Sequence, residues 1–274
     1  MASTAAKKTV PEVALRSGSA RPMPVVGMGT ASFPLVHEAT KGAVLAAIEV
    51  GFRHFDTAYM NLKMDYVDLY LIHWPVAIKP GPPKLPYKKE DAVPFDLEGV
   101  WRAMEECHRL GLAKAIGVSN FTTRHLDRVL AVATVPPAVN QVELNPVWQQ
   151  RTLRAYCADK GIHVAAYSSL GGQNWDGTGN AVLESEVLAG IAKARGKSVA
   201  QGVTSIVKTY KKDRLKQNLE IFDWELTEED RLKISQIPQK KVVKASGLFS
   251  QEGEFTSAID PADLNIVEEY IGYC

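Results

Sequence analysis

Polar side chains that can move protons or donate hydrogen bonds stand where the apolar, strand-like runs of this sequence end. The residues concerned are Asp56, His73, Ser119, Asn120, Gln141, Glu143, Tyr167, Ser168 and Lys208. In an α/β barrel the carboxyl ends of all strands face one pocket, so side chains at these positions converge. Each alone would be an ordinary structural hydrogen-bonding group. Together they predict a shared ligand site.

A second polar group follows the last strand-like run, in IVKTYKKDRLKQN. Lys208 and Thr209 leave the strand, and Arg214 lies on the next helix, whose amino end is rich in lysine. A helix start beside a hydroxyl and a guanidinium suits a phosphate group. A solvated basic helix face is the alternative that charge alone leaves open. Tyr167 similarly is either a packed core aromatic or a flat surface for a heteroaromatic ring.

Composition argues against several other classes of function. The 274 residues carry a formal net charge of +1, which gives no reason to expect nucleic acid or a membrane surface as a partner. Cys107, Cys157 and Cys274 are too few and too irregularly spaced for a disulfide framework, and they fit a reducing compartment. The His and Cys residues show no zinc-ligand spacing, so no metal is expected. Without a membrane span or an apolar signal segment, a cytoplasmic location is expected.

Strand-like and helical segments alternate along the chain, which predicts a parallel sheet with right-handed crossovers. The predicted strands are VVGMGT, GFRHFDTA, YVDLYLIHWP, AKAIGVSNF, VNQVELNP, HVAAYSSLGG and TSIVKTY. The predicted helices are ATKGAVLAAIEVG, DLEGVWRAMEECHRLG, TTRHLDRVLAVA, RTLRAYCADKG, SEVLAGIAKARG, KDRLKQNLEIF and TEEDRLKISQI. A barrel is favoured over an open doubly wound sheet, because GMGTAS lacks the third glycine of a dinucleotide fingerprint. Seven strands are predicted, where a closed barrel has eight.

The connection between the second and third strands is too short for this topology. Only residues 58–66 separate the two runs, whereas a parallel crossover needs about a dozen residues or more, usually with a helix. The third strand is apolar enough to be buried on both faces. The proline-rich residues 76–94 that follow are predicted to form a long loop with a lid or binding function.

Five of these segments, in order, resemble the aldo-keto reductases: GFRHFDTA, MDYVDLYLIHWP, AKAIGVSNF, VNQVELNP and IVKTYKKDRLKQN, across most of residues 10–237. Further stretches, among them PEVALRSG, NPVWQQRTLRAYCADKGIHVAAYS and LFSQEGEFT, resemble the plant branch and, within it, the grass deoxymugineic acid synthases. Those enzymes reduce a keto acid made from nicotianamine, in the synthesis of an iron-chelating phytosiderophore used in iron acquisition.

The resemblance implies an α/β fold of the (β/α)8 TIM barrel type, here without its third strand and the adjacent helices. It implies one NADP-dependent oxidoreductase domain over residues 1–274, with an N-terminal extension at 1–22 and a C-terminal loop and tail at 238–274. It also implies NADPH as cofactor, a polar keto acid as the small-molecule substrate, and a monomer.

Individual roles follow from the same resemblance. Asp56 and His73 match two of the family's four catalytic residues. The nicotinamide and pyrophosphate are expected to lie against Gly29, Thr30, Asp56, Ser119, Asn120, Gln141, Tyr167, Ser168 and Leu170, with the ring stacked on Tyr167. The adenosine 2′-phosphate and adenine are expected to lie against Lys208, Thr209, Arg214, Gln217 and Asn218. The substrate is expected to contact His73, Trp74 and Trp148, together with Trp175 and the loop around Phe249, although each tryptophan could equally be core.

The sequence departs from the family at the other two catalytic residues, a Tyr five positions after the Asp and a Lys on the following strand. Asn61 occupies that position, and about fifty residues of the eight-stranded pattern are absent after Met60. A smaller gap follows Gln201. Tyr59 is a secondary candidate for the general acid, because Tyr59 and Lys63 have the spacing of the Tyr-x-x-x-Lys pair of short-chain dehydrogenases and would share a helix face.

Three hypotheses follow from this departure. The first is a reductase that is impaired, since loss of a positioned general acid typically costs about 10²–10⁴ in rate. The second is a non-catalytic NADPH-binding or interaction protein that keeps the cofactor residues. The third is a non-functional shortened isoform that cannot close its barrel.

Overall fold

The computed structural model describes residues 10–15, 21–30, 37–56, 65–81, 87–88, 91–172, 179–202, 209 and 211–242. In chain order the strands are β1 (Glu12–Val13), β2 (Met23–Pro24), β3 (Met28–Gly29), β4 (Phe55–Asp56), β5 (Val67–Ile72), β6 (Ala77–Ile78), β7 (Ala92–Val93), β8 (Ala113–Ser119), β9 (Val139–Glu143) and β10 (His163–Tyr167). The helices are α1 (His37–Val50), α2 (Leu97–Arg109), α3 (Thr123–Val132), α4 (Arg151–Lys160), α5 (Glu186–Ala194), α6 (Lys212–Leu219) and α7 (Glu228–Ser235), with a 3-10 helix at Val199–Gly202.

Four parallel strands form the main sheet in the order β10-β9-β8-β5. Strands β8 and β9 approach closely at Gly117, where a Cβ atom would lie 2.5 Å from the carbonyl oxygen of Val139, so only glycine fits there. Because all four strands are parallel, their carboxyl ends lie along one edge. The residues that follow them are therefore neighbours.

Helices α2, α3 and α4 pack their apolar faces against this sheet. On α2 the buried residues Leu97, Trp101 and Met104 recur at the spacing of one helix face. Asp96 caps that helix by accepting a hydrogen bond from Gly99 N at 2.9 Å, and Thr122 forms a capping box at the start of α3. Local caps and apolar spacing thus determine where these helices begin and which side they bury.

The part of the molecule around the N-terminal strands has shorter strands. Strands β3 and β4 form a two-stranded parallel sheet, and helices α1 and α6 pack beside it around Met28, Phe52 and Leu215. Strands β1 and β2 pair in antiparallel fashion, and Leu15, which follows β1, is buried against Val139 and its neighbours. Within the described residues β4 is not paired with β5, which is where the sequence predicts a missing strand.

Each predicted helix is present, and the β–α alternation is confirmed. The prediction that the third strand is buried on both faces was wrong: on β5, Asp68 and Tyr70 are exposed, Tyr70 by 50%. Only ten residues separate β4 from β5, fewer than the roughly dozen that a parallel crossover with a covering helix needs. The loop predicted at residues 76–94 contains a strand pair, β6 with β7. Apart from Thr209, the predicted strand TSIVKTY lies outside the described residues.

A closed barrel is not formed by the strands that the structure describes, which make the four-stranded sheet and three separate pairs. The parallel strands and their outer helices nevertheless follow the α/β arrangement that the sequence predicts. None of the helices in the described ranges combines the length and apolarity needed to cross a membrane.

Candidate active site

Asp56 ends strand β4, and the chain around it is held by β3. Thr30 donates two hydrogen bonds to the carbonyl oxygen of Asp56, from its backbone N at 2.9 Å and from Oγ1 at 3.0 Å. These bonds fix the backbone of Asp56 and place Gly29 and Thr30 beside it. The carboxyl group is half-buried.

Burial raises the pKa of Asp56, because an ionised carboxylate is poorly solvated there. His54, His73 and a hydrogen bond from Gln141 act in the opposite direction but do not cancel this effect. The nearby groups that oppose the shift are thus imidazoles and an amide rather than a lysine ammonium. Among the described residues, no lysine or arginine holds Asp56 firmly in its ionised form.

His73 follows strand β5 and lies near Asp56. Partial burial of its ring lowers the pKa of His73, and the charge of Asp56 opposes the change. The imidazole is therefore mainly neutral at pH 7, in the form that can donate one hydrogen bond to a carbonyl oxygen. Its ring centroid lies 6.3 Å from that of Trp74.

Asn120 connects His73 to the neighbouring strands. Its Nδ2 donates to the carbonyl oxygen of His73 at 2.9 Å and to Ser119 Oγ at 3.1 Å, and its Oδ1 accepts from the hydroxyl of Tyr167 at 2.7 Å. Asn120 has a left-handed backbone with φ of 62°, an uncommon conformation for a residue with a side chain. Such strain is often retained where it orients functional groups.

Gln141 completes the connection back to Asp56. Ser119 Oγ donates to the carbonyl oxygen of Gln141 at 2.8 Å, while the Gln141 side chain hydrogen-bonds Asp56. The structure therefore brings Asp56, His73, Ser119, Asn120, Gln141 and Tyr167 into one continuous network, although they come from five strands or strand ends.

The loop after β10 carries Ser168 and Leu170. Ser168 also has a left-handed backbone, with φ of 51°. Asn180 Nδ2 donates to the carbonyl oxygen of Leu170 at 2.9 Å, and the Leu170 side chain packs against the cluster that contains Leu215 of α6. This packing joins the loop after β10 to the helix predicted to bind phosphate.

The amino end of α6 has no side-chain cap. Its N-cap residue, Lys211, makes no side-chain hydrogen bond to the first backbone N–H groups of the helix, and Thr209 and Arg214 lie on either side of it in the chain. Thr209 Oγ1 accepts from Lys211 N at 3.2 Å. Gln217 is exposed, whereas Asn218 is buried. The arrangement is suited to a phosphate group.

Other predicted residues are not tied to this network. Trp148 is buried in the turn before α4, and its Nε1 has no hydrogen-bond partner among the described residues. Tyr59, Asn61, Lys63, Trp175, Lys208 and Phe249 lie outside the described residues. The same part of the chain contains no cluster of three or more His, Cys, Asp or Glu side chains that could hold a metal ion.

Two residues that were not assigned a role from the sequence, His54 and Asn145, also lie at this end of the sheet. His54 is half-buried, and its Nδ1 donates to the carbonyl oxygen of Pro24 at 3.0 Å. The two-residue period of a strand places His54 on the same face as Asp56, a signal that could have identified it. Glu143 and Asn145, at the end of β9, hydrogen-bond each other at 3.3 Å.

Comparison with known proteins gives relatives along most of the chain. The sequence model described as "Aldo/keto reductase family" matches residues 59–181. Deoxymugineic acid synthase 1-D of Triticum aestivum is 44% identical over 295 residues, covering 86% of this chain and 94% of the relative. (1S)-1,7-Diacetoxy-luvungin A aldo-keto reductase of Citrus sinensis is 44% identical over 308 residues, covering 90% and 95%. A crystal structure of a Bombyx mori aldo-keto reductase in complex with NADP is 28% identical, with a TM-score of 0.73, covering 87% of this chain and 96% of that chain.

The alignment lengths show that this chain is internally shortened. The alignment with the wheat protein runs over 295 residues but takes in 86% of 274, about 236 residues, so about 59 aligned positions have no counterpart here. The chain nevertheless covers nearly the whole of each relative at 44% identity. It therefore belongs to the aldo/keto reductase family.

Proposed function

We propose that this chain binds NADPH at the strand-end network and reduces the keto group of a polar keto acid, at a rate lowered by the loss of the family's catalytic Tyr and Lys. The observation that carries the proposal is the unbroken set of contacts from Asp56 through Gln141 and Ser119 to Asn120 and Tyr167. These are the residue types that the family resemblance assigns to the nicotinamide end of the cofactor.

The residues present fit this cofactor at both ends. Tyr167 is half-buried at the end of β10, and the bond from its hydroxyl to Asn120 anchors the ring on which a nicotinamide would stack. At the other end, the uncapped start of α6 offers backbone N–H groups, and Arg214 offers a guanidinium for the 2′-phosphate. When bound, NADPH supplies the hydride that reduces the carbonyl carbon.

The chain's own residues would polarise and orient the carbonyl. Neutral His73 can donate a hydrogen bond to the substrate oxygen, and the bond from Asn120 to its backbone holds the residue in place. The alkoxide that develops must gain a proton. In the family a Tyr assisted by a Lys supplies that proton, but Asn61 occupies the Tyr position here. A rate lower by about 10²–10⁴ is the expected result.

The substrate class rests on sequence similarity. The wheat and rice relatives are deoxymugineic acid synthases, whereas the similarly distant Citrus relative is named for (1S)-1,7-diacetoxy-luvungin A. We assign a polar keto acid because the stretches quoted above follow the grass enzymes, with a nicotianamine-derived compound as the specific candidate and iron acquisition as the process. We place the activity in the cytoplasm, in one monomeric domain spanning residues 1–274.

A non-catalytic NADPH-binding protein is the second candidate, favoured by the raised pKa of Asp56. The dominant influence on that carboxyl is burial, as expected where the catalytic lysine is missing. Binding requires the amides, Tyr167 and the basic residues of α6, none of which belongs to the missing segment. A shortened isoform without function is the third candidate, since β4 and β5 do not pair within the described residues.

Thermal unfolding with and without NADPH tests the proposal first. A ligand that binds only the folded chain at 100 times its Kd adds about 2.7 kcal/mol, an upward shift of several degrees in Tm. A broad transition that NADPH does not move contradicts both the reductase and the binding protein. If the transition shifts, turnover should be measured with a polar keto acid and an apolar ketone. Restoring the missing segment from the wheat protein after Met60 should raise kcat about 10²–10⁴-fold.

A further inference from the structure

The segment that follows α7 lies across the loop between β9 and α4. Lys240 N donates to the carbonyl oxygen of Val147 at 2.7 Å, and Gln149 N donates to Gln239 Oε1 at 2.6 Å. We call residues 236–242 the C-terminal strap. These contacts place the strap directly beside the carboxyl end of β9, which is part of the candidate site.

Two side chains of opposite charge are buried where the strap meets the sheet. Glu143 is 2% exposed, and its Oε1 accepts from Val242 N at 3.0 Å. Lys241 is 8% exposed, whereas its neighbour Lys240 is exposed. Burial lowers the pKa of Lys241, and the negative charge of Glu143 opposes the change. A buried ammonium and a buried carboxylate that act on each other in this way each lower the cost of burying the other's charge.

The same carboxylate is connected to the loop after β10. Asn145 Nδ2 lies 3.3 Å from Glu143 Oε1 and 3.3 Å from the carbonyl oxygen of Ser168, whose backbone is left-handed. The charge of Glu143 also acts on Tyr167, whose pKa is raised chiefly by burial. Contacts thus run from the strap through Glu143 and Asn145 to the loop proposed to lie along the cofactor pyrophosphate.

We propose that Glu143 and Lys241 form a latch that fixes the C-terminal strap over the strand ends and keeps the loop after β10 in its cofactor-binding conformation. Both are positioning residues, since they act on the site through Asn145, Ser168 and Tyr167. The effect on cofactor binding rests on the proposed function, whereas the docking of the strap does not.

Hydrogen exchange on the full-length chain tests the latch without a cofactor. Glu143→Gln keeps an oxygen that can accept from Val242 but removes the charge, and Lys241→Met keeps the buried bulk. Each should speed exchange in the strap about tenfold or more, and the double variant should restore protection to within about threefold of the wild type. Lys240→Met, one position away and exposed, is the matched control and should leave exchange unchanged.

Peptides from β8 report in the same experiment whether each variant is folded. If a single variant also loses protection in β8, its faster exchange supports the latch only when the double variant regains that protection. The latch is overturned if the strap exchanges at the wild-type rate in both single variants, or if it exchanges as fast in the double variant as in Glu143→Gln.

Fluorescence titration with NADPH tests the link to the cofactor loop. The single variants should raise Kd about tenfold and the double variant should recover most of this, a rescue that loss of packing alone would not produce. If the strap exchanges faster in the single variants but their Kd for NADPH is unchanged, the strap does not control the cofactor loop. If the wild type itself does not bind NADPH, the proposed function fails, while the exchange data still decide whether the latch exists.

Discussion

The two halves of the molecule use similar residue types but differ in how much structure they build. In the half made of β5, β8, β9, β10 and α2–α4, strands of five to seven residues run in parallel register around thirteen buried residues, among them Trp101 and Phe121. In the half made of β3, β4, α1 and α6, the strands are two residues long and the buried cluster has seven members, including Phe52.

This difference follows from the shortened connection between the halves. A strand is stabilised by neighbours on both edges and by helices on its face, and the missing segment would have supplied both between β4 and β5. Strand β5 consequently exposes Tyr70, and β4 pairs only with β3 in the described part of the chain. We call the half with the two-residue strands the weaker half and the other the stronger half. The candidate site spans both, because Asp56 belongs to the weaker half and Asn120, Gln141 and Tyr167 belong to the stronger half.

Removing the largest buried side chain from each half should have unequal consequences. Trp101→Ala should cost about 3–5 kcal/mol and unfold the whole chain or nearly so, because Trp101 is fully buried against the main sheet. Phe52→Ala removes a similarly buried ring, but should release only α1, β3, β4 and α6. Hydrogen exchange resolved by peptide distinguishes these outcomes. Equal loss of protection in both halves for both variants would show that the molecule unfolds as one unit, contrary to this comparison.

NADPH bound as proposed should reduce the difference in stability between the two halves, because its two ends would contact residues from both. Arg214→Ala is expected to weaken NADPH binding about tenfold to a hundredfold and to leave NADH binding almost unchanged, since the guanidinium would contact only the 2′-phosphate. Titration with both cofactors measures this. Lys216→Ala, on the same helix, is the matched control and should change neither Kd by more than about twofold. An equal loss of affinity for both cofactors would show that Arg214 does not contact the 2′-phosphate.

The sequence predicts some features of this molecule better than others. Features that depend on residues close together in the chain are predicted, and features that depend on distant residues are not. The helices could be predicted because caps such as Asp96 and Thr122 and apolar spacing act over a few residues. The exposed face of β5 could not, because burial depends on whether a distant segment covers it. The bond between Glu143 and Val242 could not be predicted either, because these residues lie 99 positions apart and no local pattern links them.

Asp56 should destabilise the weaker half in its ionised form. Its pKa is raised in the folded state, so its contribution to stability is greatest below the unfolded pKa and is lost as the pH rises through the folded value. At pH 7 Asp56→Asn should therefore raise Tm, by about 2–4 °C for a change near 1 kcal/mol. Calorimetry measures this, with Asp68→Asn on the exposed face of β5 as the control. A fall in Tm would mean that the carboxylate has a stabilising cation partner.

Replacing a buried histidine should change Tm least, and the pH dependence should be opposite to that of Asp56. Burial lowers the pKa of His54, His73 and His163 below 6.5, so their contribution to stability is present above that value and is lost as the pH falls towards the folded pKa. His54→Gln keeps a donor for the carbonyl oxygen of Pro24 but cannot be protonated. It should flatten the decline in Tm between about pH 7 and pH 5 without abolishing it, because His73 and His163 remain. If His54→Gln leaves the slope unchanged, the acid sensitivity does not arise at the junction of β4 with β3.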